Sequence, residues 1–222
     1  MTISQFHTAV SQPRFDRYLT ACKEDQARAL ALYKANLILC QKMYAVNGIF
    51  EIILRNAIDR HFIKSRGQLW LEEAVSPGGY LDNDYCHDSF HAIHDAIHKL
   101  GELYSHDRLV AKLTFGFWTY QFAEREYVAS GNSLLAIFPN RPPGTRQKIV
   151  FKNLFKINDL RNRIAHYEPI CFKNHSHVVS TAQVQNRYSL ITDMLHWLGY
   201  DPSFLLEDIN GVQEAIEQIH SI

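Results

Sequence analysis

The chain has 222 residues and a mass of 25.7 kDa, enough to bury a sizeable core as one domain. With 46% hydrophobic residues, 12% aromatic residues, ten glycines and seven prolines, its composition excludes a disordered or fibrous chain. Twenty-three Lys and Arg balance twenty-three Asp and Glu, so no overall charge draws the chain to nucleic acid or an anionic membrane, and any such attraction has to come from a local patch.

Most segments repeat at helical period, and the expected elements follow in chain order. A tract from Glu24 to Ser65, rich in Ala, Leu, Ile and Met, reads as two consecutive helices or one helix kinked at Asn47-Gly48. The loop Ser76 to Asn83 ends it, and a helix follows over Asp84 to Ser105. An aromatic segment, Leu113 to Phe122, leads to a second loop, Pro139 to Thr145. A helix over Thr145 to His166 stops ahead of Pro169, because the residue before a proline is pushed out of helical geometry. Two more helices are expected over Val178 to Leu198 and Ile209 to His220. With no internal repeat, the expectation is a single all-α domain over residues 1–222, a bundle of about five to seven helices. Four cysteines without a C-x-x-C pair, no signal-like N-terminus and no run of about 18 uncharged apolar residues point to a cytoplasmic protein with no membrane span.

The Thr145 to His166 helix carries the chemistry. From Arg141 to Arg163 there are seven basic residues against Asp159 alone. Lys148, Lys152, Lys156 and Arg163 fall close to one stripe, either a solvated face or a surface that tracks phosphates. On the opposite side Val150, Leu154, Ile157, Arg161 and Ile164 keep the spacing of a core-facing seam, so Arg161 interrupts an apolar row and has to be paired or line a cleft. Asn162, Arg163 and His166 share one turn. Such a grouping suits attack of an RNA 2′-hydroxyl on its neighbouring phosphate. Imidazole exchanges a proton near neutrality, while a guanidinium fork holds phosphate oxygens. The alternative is structural, with Arg161 and Asn162 pairing or capping and His166 merely ending the helix.

The segment LRNRIAHYEPI, Leu160 to Ile170, resembles the R-N-x3-H signature with trailing E-P of the Abi-like (abortive infection) family of the HEPN superfamily. Ala29 to Phe62, with its E-x3-R-N, is similar to that family's long N-terminal helices, and LTFGFW, Leu113 to Trp118, to its central aromatic motif. The resemblance implies a HEPN-like bundle, usually a homodimer, and a metal-independent endoribonuclease of a bacterial phage-defence or toxin-antitoxin system that leaves 2′,3′-cyclic phosphate ends. By motif position Arg161 and His166 would be the catalytic pair and Asn162 the polar residue after the arginine. Tyr167 stands where many relatives show a second histidine. RNA would be the substrate, gripped by Lys148, Lys152, Lys156 and Arg163, with no cofactor and with an antitoxin or regulatory protein as a further partner. A non-catalytic RNA-binding or protein-binding helical module of a defence system is the alternative.

Two further groups stand out. Glu51 and Arg55, at i, i+4 with Asn56 beside them, form either an internal salt bridge or a support that orients Arg161. RNAIDRH, Arg55 to His61, is a lesser R-x5-H match. His87, His91, His94 and His98 line one helical face; two such histidines can chelate a divalent ion, but the glutamate of H-E-x-x-H is missing, and no metal site is assigned. The Phe115 to Phe122 aromatics read as core.

Overall fold

The computed structural model describes residues 3–222, which form twelve α-helices: α1 (Ile3–Val10), α2 (Gln12–Ala21), α3 (Gln26–Arg66), α4 (Trp70–Ala74), α5 (His87–Leu100), α6 (His106–Lys112), α7 (Phe115–Tyr120), α8 (Glu124–Ala129), α9 (Gln147–Ala165), α10 (Ala182–Trp197), α11 (Pro202–Leu206) and α12 (Val212–His220). The fold is all-α, and among the described residues the extended pairing is a lone antiparallel bridge, Phe172 to Val179. Twelve helices replace the expected five to seven because short ones punctuate the chain. Side chains of Ser105 and Thr114 cap α6 and α7 by accepting from the backbone N–H groups of Arg108 and Phe117, so Phe115–Tyr120 of the aromatic segment is helical. The predicted Val178 start moves to Ala182, since Phe172 to Val179 pairs as a hairpin.

The tract expected to break at Asn47-Gly48 is one unbroken 41-residue helix. Buried Asn47 donates from its amide nitrogen to the Met43 carbonyl at 2.8 Å, so its donor is met inside the helix, while its side-chain oxygen is buried without a hydrogen-bond partner. By length and composition α3 is also apolar enough to cross a membrane, although charged residues interrupt it; 39% of its most apolar 18-residue window is buried. In its first half the fully buried residues Ala29, Leu32, Ala35, Leu39, Met43 and Val46 keep one helical stripe.

The backbone contacts gather into two compact units. The first comprises the residues up to Asn47, Asp159–Ile191 and Leu206–Ile222. Its core sets Phe15, Tyr18 and Phe172 against the α3 stripe, with Tyr18 edge-on to Tyr33 and to Phe172 at 5.2 and 5.1 Å between ring centroids. The second comprises Gly48–Asn158 and Thr192–Leu205. There Phe50, Leu54, Ile58 and Phe62 recur every four residues, and Phe62 packs on Trp70, which packs on Trp118. Asp59 accepts from the Trp70 indole and bonds the His106 imidazole, both at 2.8 Å, which satisfies a polar group at the edge of this core.

Candidate functional site

The site-bearing residues of the first unit sit where α9 ends. The Tyr167 N–H bonds the Ile164 carbonyl at 3.0 Å and the Glu168 N–H bonds the Arg163 carbonyl at 2.8 Å, while Tyr167 takes a left-handed φ of +57°. This closure usually employs glycine, and a β-carbon there costs about 1 kcal/mol. Arg14 of α2 donates to the Tyr167 carbonyl at 3.2 Å and holds the strained residue in place. The helix therefore stops at a fixed point, leaving Asn162, His166 and Tyr167 exposed on its last turn.

Arg161 does not stand in the apolar row. Val150, Leu154, Ile157, Leu160 and Ile164 are the buried residues of α9, and Leu160 takes the place the spacing assigned to Arg161. Arg161 is half-buried and engaged. Arg163, expected on an RNA-facing stripe, is the fastener of the following loop. Its guanidinium donates to the Pro169 carbonyl at 2.6 Å, Gln183 at 2.8 Å, and Glu168 and Asn174 at 3.3 Å each. Few donors remain for a phosphate.

The loop beyond α9 is anchored from α3 as well. Buried Asn36 accepts with its side-chain oxygen from the Ile170 and Cys171 N–H groups, at 2.9 and 3.2 Å. Below it, burial pushes the Cys40 thiol up to about 11 and the Cys171 thiol up to about 12, so both stay protonated and unreactive near neutrality. The chain then turns back at residues 173–176, and a cleft of about 540 Å³ opens between this turn and the end of α9. It is lined by Arg17, Asp159, Arg163 and Glu168 together with residues 174–177 of the turn. Asn162 and His166 are exposed beside it in sequence but do not line it, nor does Arg161.

The remaining candidates belong to the second unit. Glu51, Arg55 and Asn56 are half-buried on the second part of α3; Glu51 is engaged, and the Arg55 Nε is buried without a hydrogen-bond partner. Lys148 and Lys152 are exposed, whereas Lys156 is half-buried and engaged. His87, His91, His94 and His98 are all exposed on α5, with His87 against His91 at 4.2 Å between rings and His94 stacked on Phe90. Among the described residues no group of three or more His, Cys, Asp or Glu side chains is placed to hold a metal ion.

Sequence reasoning missed Arg17, Asn36, His175 and His177. A polar residue on the otherwise apolar α3 stripe was a readable signal for Asn36. The other three are joined only by the tertiary fold. No protein-family model matches the chain, and comparison with curated proteins and with solved structures finds no match.

Proposed function

We propose that the chain is a metal-independent endoribonuclease of the Abi-like HEPN type, acting in the cytoplasm in bacterial phage defence or as a toxin. The observation that carries this reading is the end of α9, where the His166 imidazole and the Asn162 amide are exposed together one turn apart, on a helix terminus locked by Arg14 and Arg163. An exposed imidazole can take the proton of a 2′-hydroxyl. In this reading the attack forms a 2′,3′-cyclic phosphate and a 5′-hydroxyl end, Arg161 stabilises the charge gathering on the phosphoryl oxygens, and Asn162 positions the substrate or Arg161. Lys148 and Lys152 supply exposed charge for the RNA backbone, a homodimer doubles the site, and an antitoxin or regulatory protein restrains it.

The test is cleavage of a mixed RNA pool in EDTA by wild type, His166→Ala and Arg161→Ala, with end analysis of the products. Cleavage by wild type that both substitutions abolish, leaving cyclic phosphate ends, supports the reading. Equal behaviour of the three proteins on RNA overturns it. The second reading, a non-catalytic binding module, is favoured by one observation: Arg163 is consumed by four bonds within the chain and Arg161 is engaged, as in a purely structural helix end.

A further inference from the structure

The cleft beside α9 is preformed. Arg17 is half-buried with its guanidinium 4.5 Å over the Phe172 ring, and one of its nitrogens donates to the Ser176 carbonyl at 2.7 Å. That stack and bond fix the head group while leaving further N–H donors for a ligand. The facing turn is equally fixed, closed by the Ser176 N–H on the Lys173 carbonyl at 3.2 Å and by the Lys173 N–H on the Val178 carbonyl at 2.9 Å. His175 sits at its tip with a left-handed φ of +53°. His175 and His177 are exposed and line the cleft, and among the described residues neither imidazole has a hydrogen-bond partner. Of the two acids present, Glu168 is taken by Arg163 at 3.3 Å, which leaves Asp159.

A volume of about 540 Å³ lies within the range of small-ligand sites. One held guanidinium and two unpartnered imidazoles suit a phosphate, while the Asn174 amide and the Asp159 carboxylate suit a sugar hydroxyl and a base edge. Together these groups match a single nucleotide unit. We propose that this cleft is a nucleotide subsite, resting on the nuclease reading above: Arg17, His175 and His177 hold an RNA phosphate.

The test is a titration of the full chain with uridine 3′-monophosphate, followed by the NMR signals of the imidazole Cε1 protons, in wild type and in His175→Gln/His177→Gln. Cleavage of a uridine-containing dinucleotide is measured in parallel, and circular dichroism confirms the variant is folded. Saturable shifts at His175 and His177, with binding about tenfold or more weaker in the double variant, support the subsite. Shifts confined to other histidines, or equal binding by both proteins, overturn it. Nucleotide binding at the hairpin by a wild type that cleaves nothing upholds the subsite while removing the nuclease reading. Equal cleavage by both proteins without hairpin binding removes the subsite and leaves the nuclease reading standing.

Discussion

Replacing Asn36 by alanine measures what fixes the loop beyond α9. The side-chain oxygen satisfies two buried backbone donors, the N–H groups of Ile170 and Cys171, at 2.9 and 3.2 Å. Without it each donor is left unsatisfied at about 1–3 kcal/mol, so a loss of about 2–6 kcal/mol is expected. For a chain of this size 1 kcal/mol moves the melting temperature by about 2–4 °C, which places the fall near 10 °C. Asn36→Leu refills the volume but restores no acceptor, so it should be no more stable than Asn36→Ala. Urea unfolding at pH 7 followed by far-ultraviolet circular dichroism reads the change. Tryptophan fluorescence adds a second probe, because Trp70, Trp118 and Trp197 all lie in the second unit and move with the variant only if the two units unfold together. An Asn36→Leu protein within about 0.5 kcal/mol of wild type would refute the reasoning, since it would show that packing, not the two hydrogen bonds, holds the loop.

The two basic residues of the last α9 turn should separate cleanly. His166→Ala removes an exposed side chain and is expected to change stability by less than about 0.5 kcal/mol, whereas Arg163→Ala frees four acceptors, three in the following loop and Gln183 of α10, and should cost about 2–4 kcal/mol, with Arg163→Lys a poor rescue because an ammonium lacks the planar fork; denaturant melts of the three variants decide this. His61, bonded to Ser133 at 2.8 Å, has its pKa lowered by burial first and then by Arg66 and Lys64. The unfolded chain therefore binds more protons at this site just below the ordinary histidine value of about 6.5, so its contribution to stability falls as pH drops through that window; the unfolding midpoint of His61→Gln should lose less than that of wild type between pH 7.5 and 5.5, and parallel profiles would contradict this. The burial of Cys171 and the raised pKa of half-buried Cys40 predict slow modification of both thiols in the native protein at pH 8 and rapid modification of Cys171 in urea, read by thiol titration; fast native labelling of Cys171 would show that the first unit opens readily.

Much of the fold was legible from local pattern. Helical periodicity marks α3, α5, α9, α10 and α12 to within a few residues, because one buried stripe on each repeats at the helical period. The short helices were not legible: α4, α7 and α8 have five or six residues each, too few for a stripe to repeat, and local capping by Thr114 together with packing around Trp118 decides that the aromatic segment is α7. The unbroken run of α3 escaped for a similar reason, since Asn-Gly is a turn signal that a buried side-chain bond to Met43 overrides.

For the candidate site the division is sharper. The sequence by itself determined that Asn162, Arg163 and His166 share one turn at a helix end, since spacing along a single helix fixes which residues are neighbours. It could not tell which of the arginines is spent on the following loop. That depends on Asn174, Gln183 and the Pro169 carbonyl arriving around Arg163, and on Leu160 taking the apolar row from Arg161. The cleft likewise unites Arg17 of α2 with His175 and His177, residues more than 150 positions apart in the chain. Hydrogen bonds across such separations leave no periodicity to read, and only the closed tertiary structure brings those groups into one electrostatic environment.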